Sequence, residues 1–207
     1  MRNILKATTL ENKFPLFTVE NGCIVSKDAD ITVAFRVELP ELFTVTAAEY
    51  EAIHSAWNKA VKVLPDYSIV HKQDWFIKEN YAPDIQKDDL SFLSRSFERH
   101  FNERPFLNHT SYLFLTKTTK ERSRMQSNFS TLCRGFLVPK EIRDRETVTK
   151  FLEAVGQLES IMNDSGFMTL TRLTSDEITG TKETAGIVEK YFSLSQTDKI
   201  FHWVLTK

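Results

Sequence analysis

Residues 31–39, ITVAFRVEL, set Ile31, Val33, Phe35, Val37 and Leu39 in strict alternation with Thr32, Ala34, Arg36 and Glu38. Side chains alternate across a strand, so this spacing sends every second residue into a core and its neighbours toward water. A slip of one residue would turn the whole apolar set outward, which fixes the register as well as the face. The chain therefore needs a sheet with one buried side, and the rest of the sequence must supply the cover.

Signals on both sides of this strand supply it. Upstream, FPLFTVENGCIVS holds two short apolar runs around Asn21-Gly22, a dipeptide that tolerates the positive φ angles of a type I′ hairpin turn. Downstream, TAAEYEAIHSAWNKAVKVLP opens with a capping box, in which the Thr46 hydroxyl takes the Glu49 amide and the Glu49 carboxylate reaches back. Tyr50, Ile53, Trp57, Ala60, Val61 and Leu64 share a helical face, and Pro65 stops the helix.

The same alternation of elements continues. YSIVHKQDWFIK reads as a strand, and DDLSFLSRSFERHFNERP as an amphipathic helix with Leu90, Leu93, Phe97 and Phe101 on its stripe and acidic residues at its start. HTSYLFLTK is apolar enough for a strand buried on both faces, and Thr118 to Glu121 repeats the capping box. ETVTKFLEAVGQLESIMNDSG carries Val148, Phe151, Leu152, Val155, Leu158 and Met162 on one face, with Gly166 suited to a left-handed cap. FMTLTRL returns as a strand, and a third capping box runs from Thr174 to Glu177. A hairpin followed by alternating helices and strands implies an α+β, or mixed α/β, domain with helices packed on a sheet. With no repeat period and no linker composition, one domain is expected over residues 1–195.

Composition sets the outer bounds. A chain of 207 residues can bury roughly 70% of its unfolded surface, and 16 phenylalanines make its core aromatic. A net charge of −1 gives no global attraction for a polyanion, so a nucleic-acid contact would need a local patch. Cys23 and Cys133 stand without neighbouring ligands, which suits a reducing compartment and argues against a disulfide framework. The first residues contain no run apolar enough for a signal peptide or a membrane span, so the expectation is a cytoplasmic protein. The sequons at Asn108, Asn128 and Asn163 are then chance matches.

No complete catalytic set emerges. EITGTKETAGIVEKYF brings Gly180, Lys182, Thr184 and Gly186 before a short helix, residue types that cradle phosphate. A Walker-type loop requires G-x-x-x-x-G-K-[ST] directly after a strand. Here the glycines are six apart, the lysine lies between them, and Ile187 and Val188 follow, so the stretch reads as a connection capped by Thr184. His54, His71, His100, His109 and His202 lack the i+3 or i+4 spacing of a metal site, and no nucleophile signature accompanies them. Catalytic, cofactor and metal residues are therefore not expected. The one local charge asymmetry is KTTKERSRMQSNFSTLCR, where Lys117, Lys120, Arg122, Arg124 and Arg134 face only Glu121, a net +4. With Phe129 it offers a patch for a polyanion or a partner, against a simpler reading as a solvated connection. In FLSRSFERHFNER, by contrast, Glu98 and Glu103 interleave with Arg95, Arg99 and Arg104 as helix-surface pairs.

Three stretches together, KFPLFTVENGCIVSKDADITVAFRVELPELFTVTAAEYEAIHSAWNKAVKVLPDYSIVHKQDWF, DDLSFLSRSFERHFNERPFLNHTSYLFLTK and SNFSTLCRG, closely resemble the N-terminal region of the TraG proteins of Bacteroides-type conjugative transposons. The likeness runs to about EKYFSLSQ and rests on extended sequence rather than on a catalytic motif. That family is similar to the conjugation ATPases of type IV secretion, in which an N-terminal α/β domain precedes a RecA-like motor with Walker motifs. The resemblance implies a domain without the ATP site, and no ATP-binding residue carries over. It further implies partners among conjugation-machinery proteins at the inner membrane, with self-assembly as a second possibility. The final residues TDKIFHWVLTK depart from it, so 196–207 is expected to be a divergent or truncated tail. The implied function is a non-catalytic assembly and docking domain; the alternative is a module guiding single-stranded DNA through the 117–134 segment.

Overall fold

The computed structural model describes residues 14–27, 30–40, 45–81, 91–118, 145–194 and 198–206. Along the chain they form β1 (Leu16–Glu20), β2 (Cys23–Ser26), β3 (Ile31–Glu38), α1 (Ala47–Val63), β4 (Ser68–Glu79), α2 (Phe92–Asn102), β5 (Phe106–Lys117), α3 (Arg145–Asp164), β6 (Thr169–Arg172), α4 (Ser175–Thr179), α5 (Ile187–Ser193) and β7 (Lys199–Thr206). The strands make one antiparallel sheet in the order β1-β2-β3-β5-β4-β7, with β6 added on β3. The arrangement is mixed α+β.

Strand β3 is the hub. One of its edges pairs along its length with β5, from Ile31↔Lys117 to Val37↔Ser111. The other edge is divided: β2 takes residues 31–33 and β6 takes residues 35–38. Between the two, the Ala34 carbonyl accepts from the Leu173 amide at 2.9 Å, so no buried backbone acceptor is orphaned at the junction. The alternation of β3 then does what its spacing dictates. Val33, Phe35 and Val37 turn to one side, where α1 and α3 cover them with Ala60, Leu64, Phe151, Val155, Leu158 and Met162. Arg36 and Glu38 are exposed on the other side, but Ala34 there is fully buried with Trp75, Tyr112, Leu173, Ile178 and Ile187. The short helices α4 and α5 thus give the sheet a second, partial cover.

Local signals explain the element ends. Asn21 and Gly22 both have positive φ, 52° and 68°, and turn β1 into β2. Thr46 and Thr174 both cap their helices with the expected reciprocal bonds to Glu49 and Glu177. Gly166, at φ 72°, ends α3, and the Asn163 side chain bonds both the amide and the carbonyl of Leu170, which directs the chain into β6.

Several expectations are corrected. Leu39 lies past the end of β3 and is exposed, because the pairing with β6 stops at Glu38. Tyr50 is exposed rather than on the packed face of α1: it sits in the first turn, while the buried residues of the helix, Ala56 and Ala60, lie further along. The strand expected to be buried on both faces begins earlier, at Phe106, and its first four residues are exposed. Apart from these corrections, residues 199–206 pair with β4 from Ile69↔Thr206 to Phe76↔Lys199 as an outer strand of the sheet. The Thr118–Glu121 capping box lies outside the described residues beyond Thr118. Among the described residues no helix is long and apolar enough to cross a membrane.

Candidate docking surface

Strands β4 and β5 pair over their full length, from Ser68↔Lys117 to Glu79↔Phe106. The first part of this ladder lies in the core, while the far end leaves it, with Phe106 and Leu107 exposed. Helix α2 stands at that far end, started by Ser91, whose hydroxyl accepts from the Ser94 amide; the acidic pair Asp88-Asp89 and Leu90 of the expected stripe lie outside the described residues. Its contacts with the chain before it are polar: the Tyr81 hydroxyl donates to Glu98 at 3.3 Å, and the Asn102 amide donates to the Tyr81 carbonyl at 2.9 Å. At 100° per residue Glu98 and Asn102 share one side of the helix, and Leu93, Phe97 and Phe101 lie on another.

Among the described residues nothing covers that apolar side. Leu93, Phe97 and Phe101 are 78%, 63% and 44% exposed, Phe92 on a different side of the helix is 86% exposed, and α2 has no buried residue. The rings of Phe97 and Phe101 meet at 4.5 Å, so the surface is continuous rather than scattered. An 11-residue helix is below the ~12–15 residues at which an isolated helix becomes even marginally stable. The expected helix-surface pairing appears in Arg99 and Glu103, at 3.2 Å, an exposed pair contributing only about 0.3–0.5 kcal/mol. An amphipathic helix that presents phenylalanines to water makes this side of the molecule a candidate docking surface.

A second cluster, invisible in the sequence, lies on the sheet face shared with α1 and α3. Asp74 accepts from Lys72 Nζ, and from His109 Nε2 at 3.1 Å. Phe76 stacks on the His109 ring at 4.5 Å. Burial works to raise the Asp74 carboxyl, but Lys72, Ser111 and His109 outweigh it and hold the group below its usual range. Ser111 Oγ meets no hydrogen-bond partner among the described residues, yet it stands opposite Asp74 across the ladder and favours the carboxylate. The charge-bearing acid faces the serine and the histidine separately. In a nucleophilic triad the histidine would stand between them; here the cluster works as a half-buried ion-pair network.

The phosphate-like stretch has another purpose. A Cβ on Gly186 would lie 2.2 Å from the Gly180 nitrogen and 2.6 Å from the Ile178 carbonyl oxygen. The two glycines let α4 and the start of α5 touch backbone to backbone. Their amides are already engaged, Gly180 with the Asp176 carbonyl at 2.8 Å and Gly186 with the Glu189 carboxylate at 3.3 Å. Gly186, not Thr184, is the N-cap of α5; Thr184 instead closes a turn with Thr181. Of the basic segment, Lys117 ends β5, where its ammonium donates to the Asp66 carbonyl at 2.5 Å and lies 5.5 Å from the Tyr67 ring centre. Lys120, Arg122, Arg124 and Arg134 lie outside the described residues. Among the described residues no group of three or more His, Cys, Asp or Glu is placed to hold a metal.

A family described as "Domain of unknown function, B. Theta Gene description (DUF3875)" matches residues 3–55, which take in β1, β2, β3 and the first half of α1. The match ends before α2 and before the Asp74 cluster. No curated protein matches the chain.

Proposed function

We propose that this chain is a non-catalytic assembly and docking domain of a conjugative-transfer ATPase of the type IV secretion kind. The observation that carries the reading is the outward apolar face of α2, held at the far end of the β4–β5 ladder by polar contacts on another side of the helix. The resemblance to the TraG N-terminal region supplies the partner class: conjugation-machinery proteins at the cytoplasmic face of the inner membrane. A rigid two-sided core fixes the ladder, and the ladder presents Phe97 and Phe101 to a second protein as aromatic anchors of the type that dominate binding energy. The domain lends position to a motor that splits ATP elsewhere and does not itself turn over nucleotide.

The test is transfer from a donor strain carrying the full-length gene. Phe97→Ser with Phe101→Ser lowers transfer frequency at least about tenfold, at unchanged protein level. Unchanged transfer, or ATP turnover by the purified chain above a buffer control, overturns the reading. The alternative, guidance of single-stranded DNA by the 117–134 segment, predicts salt-dependent binding weakened by Lys120→Ala with Arg122→Ala. Lys117, the one described member of that patch, is already held by Asp66 and Tyr67.

A further inference from the structure

The sheet face opposite α1 and α3 is covered unevenly. Helix α5 crosses it through Ile187 and Val188, and beside that contact a cavity of 530 Å³ opens between the helix and the strands. Volumes of roughly 300–1,000 Å³ are those of sites that enclose small organic ligands. Phe14, Ile24, Phe114, Val188 and Phe192 are among its apolar lining residues. The described lining holds no Asp, Glu, Lys or Arg, and its one imidazole, His71, packs its ring 5.7 Å from that of Phe114, so an anionic guest would lose its hydration with no permanent counter-charge in return.

Besides His71, the polar lining consists of Thr32, Thr116, Gln73 and Tyr191. Gln73, fully buried in β4, donates its amide to the Tyr191 hydroxyl of α5, and both residues line the cavity. A hydroxyl that accepts one bond still has its own proton to give. Burial pushes the Tyr191 phenol up to about 12, so that proton stays in place throughout the neutral range. The Thr32 and Thr116 hydroxyls, also in the lining, bond each other at 2.8 Å, which uses one of their two protons.

We propose that this cavity binds an uncharged, mainly apolar small molecule carrying one hydrogen-bond acceptor, with Tyr191 donating to the acceptor and the phenylalanines enclosing the apolar body. The site is separate from α2 and stands or falls independently of the docking reading.

The experiment is an amide and indole N–H NMR titration of the full chain with acetophenone, ethylbenzene and benzoate. These share an aromatic body and differ in carrying a carbonyl acceptor, no acceptor and a charge. Trp75, whose ring meets Tyr191 edge-on at 5.0 Å, supplies a local reporter. Acetophenone shifts Trp75 and the β4 amides saturably; ethylbenzene binds about fivefold more weakly and benzoate at least about tenfold more weakly. Tyr191→Phe brings acetophenone down to the ethylbenzene affinity and leaves ethylbenzene unchanged. Val188→Trp fills the space and removes binding of both; should it fail to fold, Tyr191→Phe decides alone. The absence of saturable shifts, benzoate binding as tightly as acetophenone, or a ketone preference surviving in Tyr191→Phe overturns the proposal.

Discussion

Gly180 and Gly186 stand so close that a Cβ on the second would lie 2.2 Å from the backbone nitrogen of the first. The obstacle is the main chain of residues 178–180, so no side chain can rotate away to make room. Gly186→Ala is therefore expected to cost about 1–3 kcal/mol through forced separation of α4 and α5. Gly156, in the exposed middle of α3, has nothing within 4 Å of a built Cβ, and Gly156→Ala should stabilise by about 0.5–1 kcal/mol. Urea unfolding of the two variants checks both signs. Equal effects would remove the steric account of the 180–186 stretch.

The two kinds of phenylalanine in this chain predict opposite outcomes. Phe151 of α3 is fully buried between the sheet and α1, and Phe151→Ala should cost about 3–5 kcal/mol. Phe97 of α2 is mostly in water, so Phe97→Ala should leave unfolding within about 0.5 kcal/mol of the parent chain. Thermal or urea unfolding of the purified chain makes the comparison. A large loss for Phe97→Ala would show that its ring is part of the fold, and would withdraw it from the docking surface.

What the sequence disclosed follows from how far apart the deciding residues lie. The Asn21-Gly22 hairpin, the alternation of 31–38 and the capping boxes at Thr46 and Thr174 are each set within a few residues, and they form as read. Periodicity also revealed α2, but a two-sided helix has no label on its apolar side. Only the contacts of Glu98 and Asn102 with Tyr81 show that the phenylalanines face outward. The Asp74–His109 pair is 35 residues apart and is joined by the β4–β5 register alone. The cavity draws on residues from Phe14 to Phe192, a set no local pattern could assemble. The sharing of one β3 edge between β2 and β6 was likewise beyond reach, since each added strand is only four residues long.

The Asp74 network gives a pH dependence with a definite sign. Its carboxyl titrates below the ordinary value of 3.8, because Lys72, Ser111 and His109 together outweigh the opposing effect of burial. A folded-state value below the unfolded one means that the unfolded chain binds the proton more readily. The extra stability is fully present above pH 3.8 and disappears as pH falls through the lowered folded value. Asp74→Asn keeps the shape and removes the charge, and at pH 7 it should cost about 1–3 kcal/mol. The gap between variant and parent should close as both are taken to pH values at which Asp74 is protonated. Urea unfolding at neutral pH and across the acid limb measures it. A gap that stays constant through the acid limb would mean that Asp74 stabilises the sheet by packing rather than by its charge.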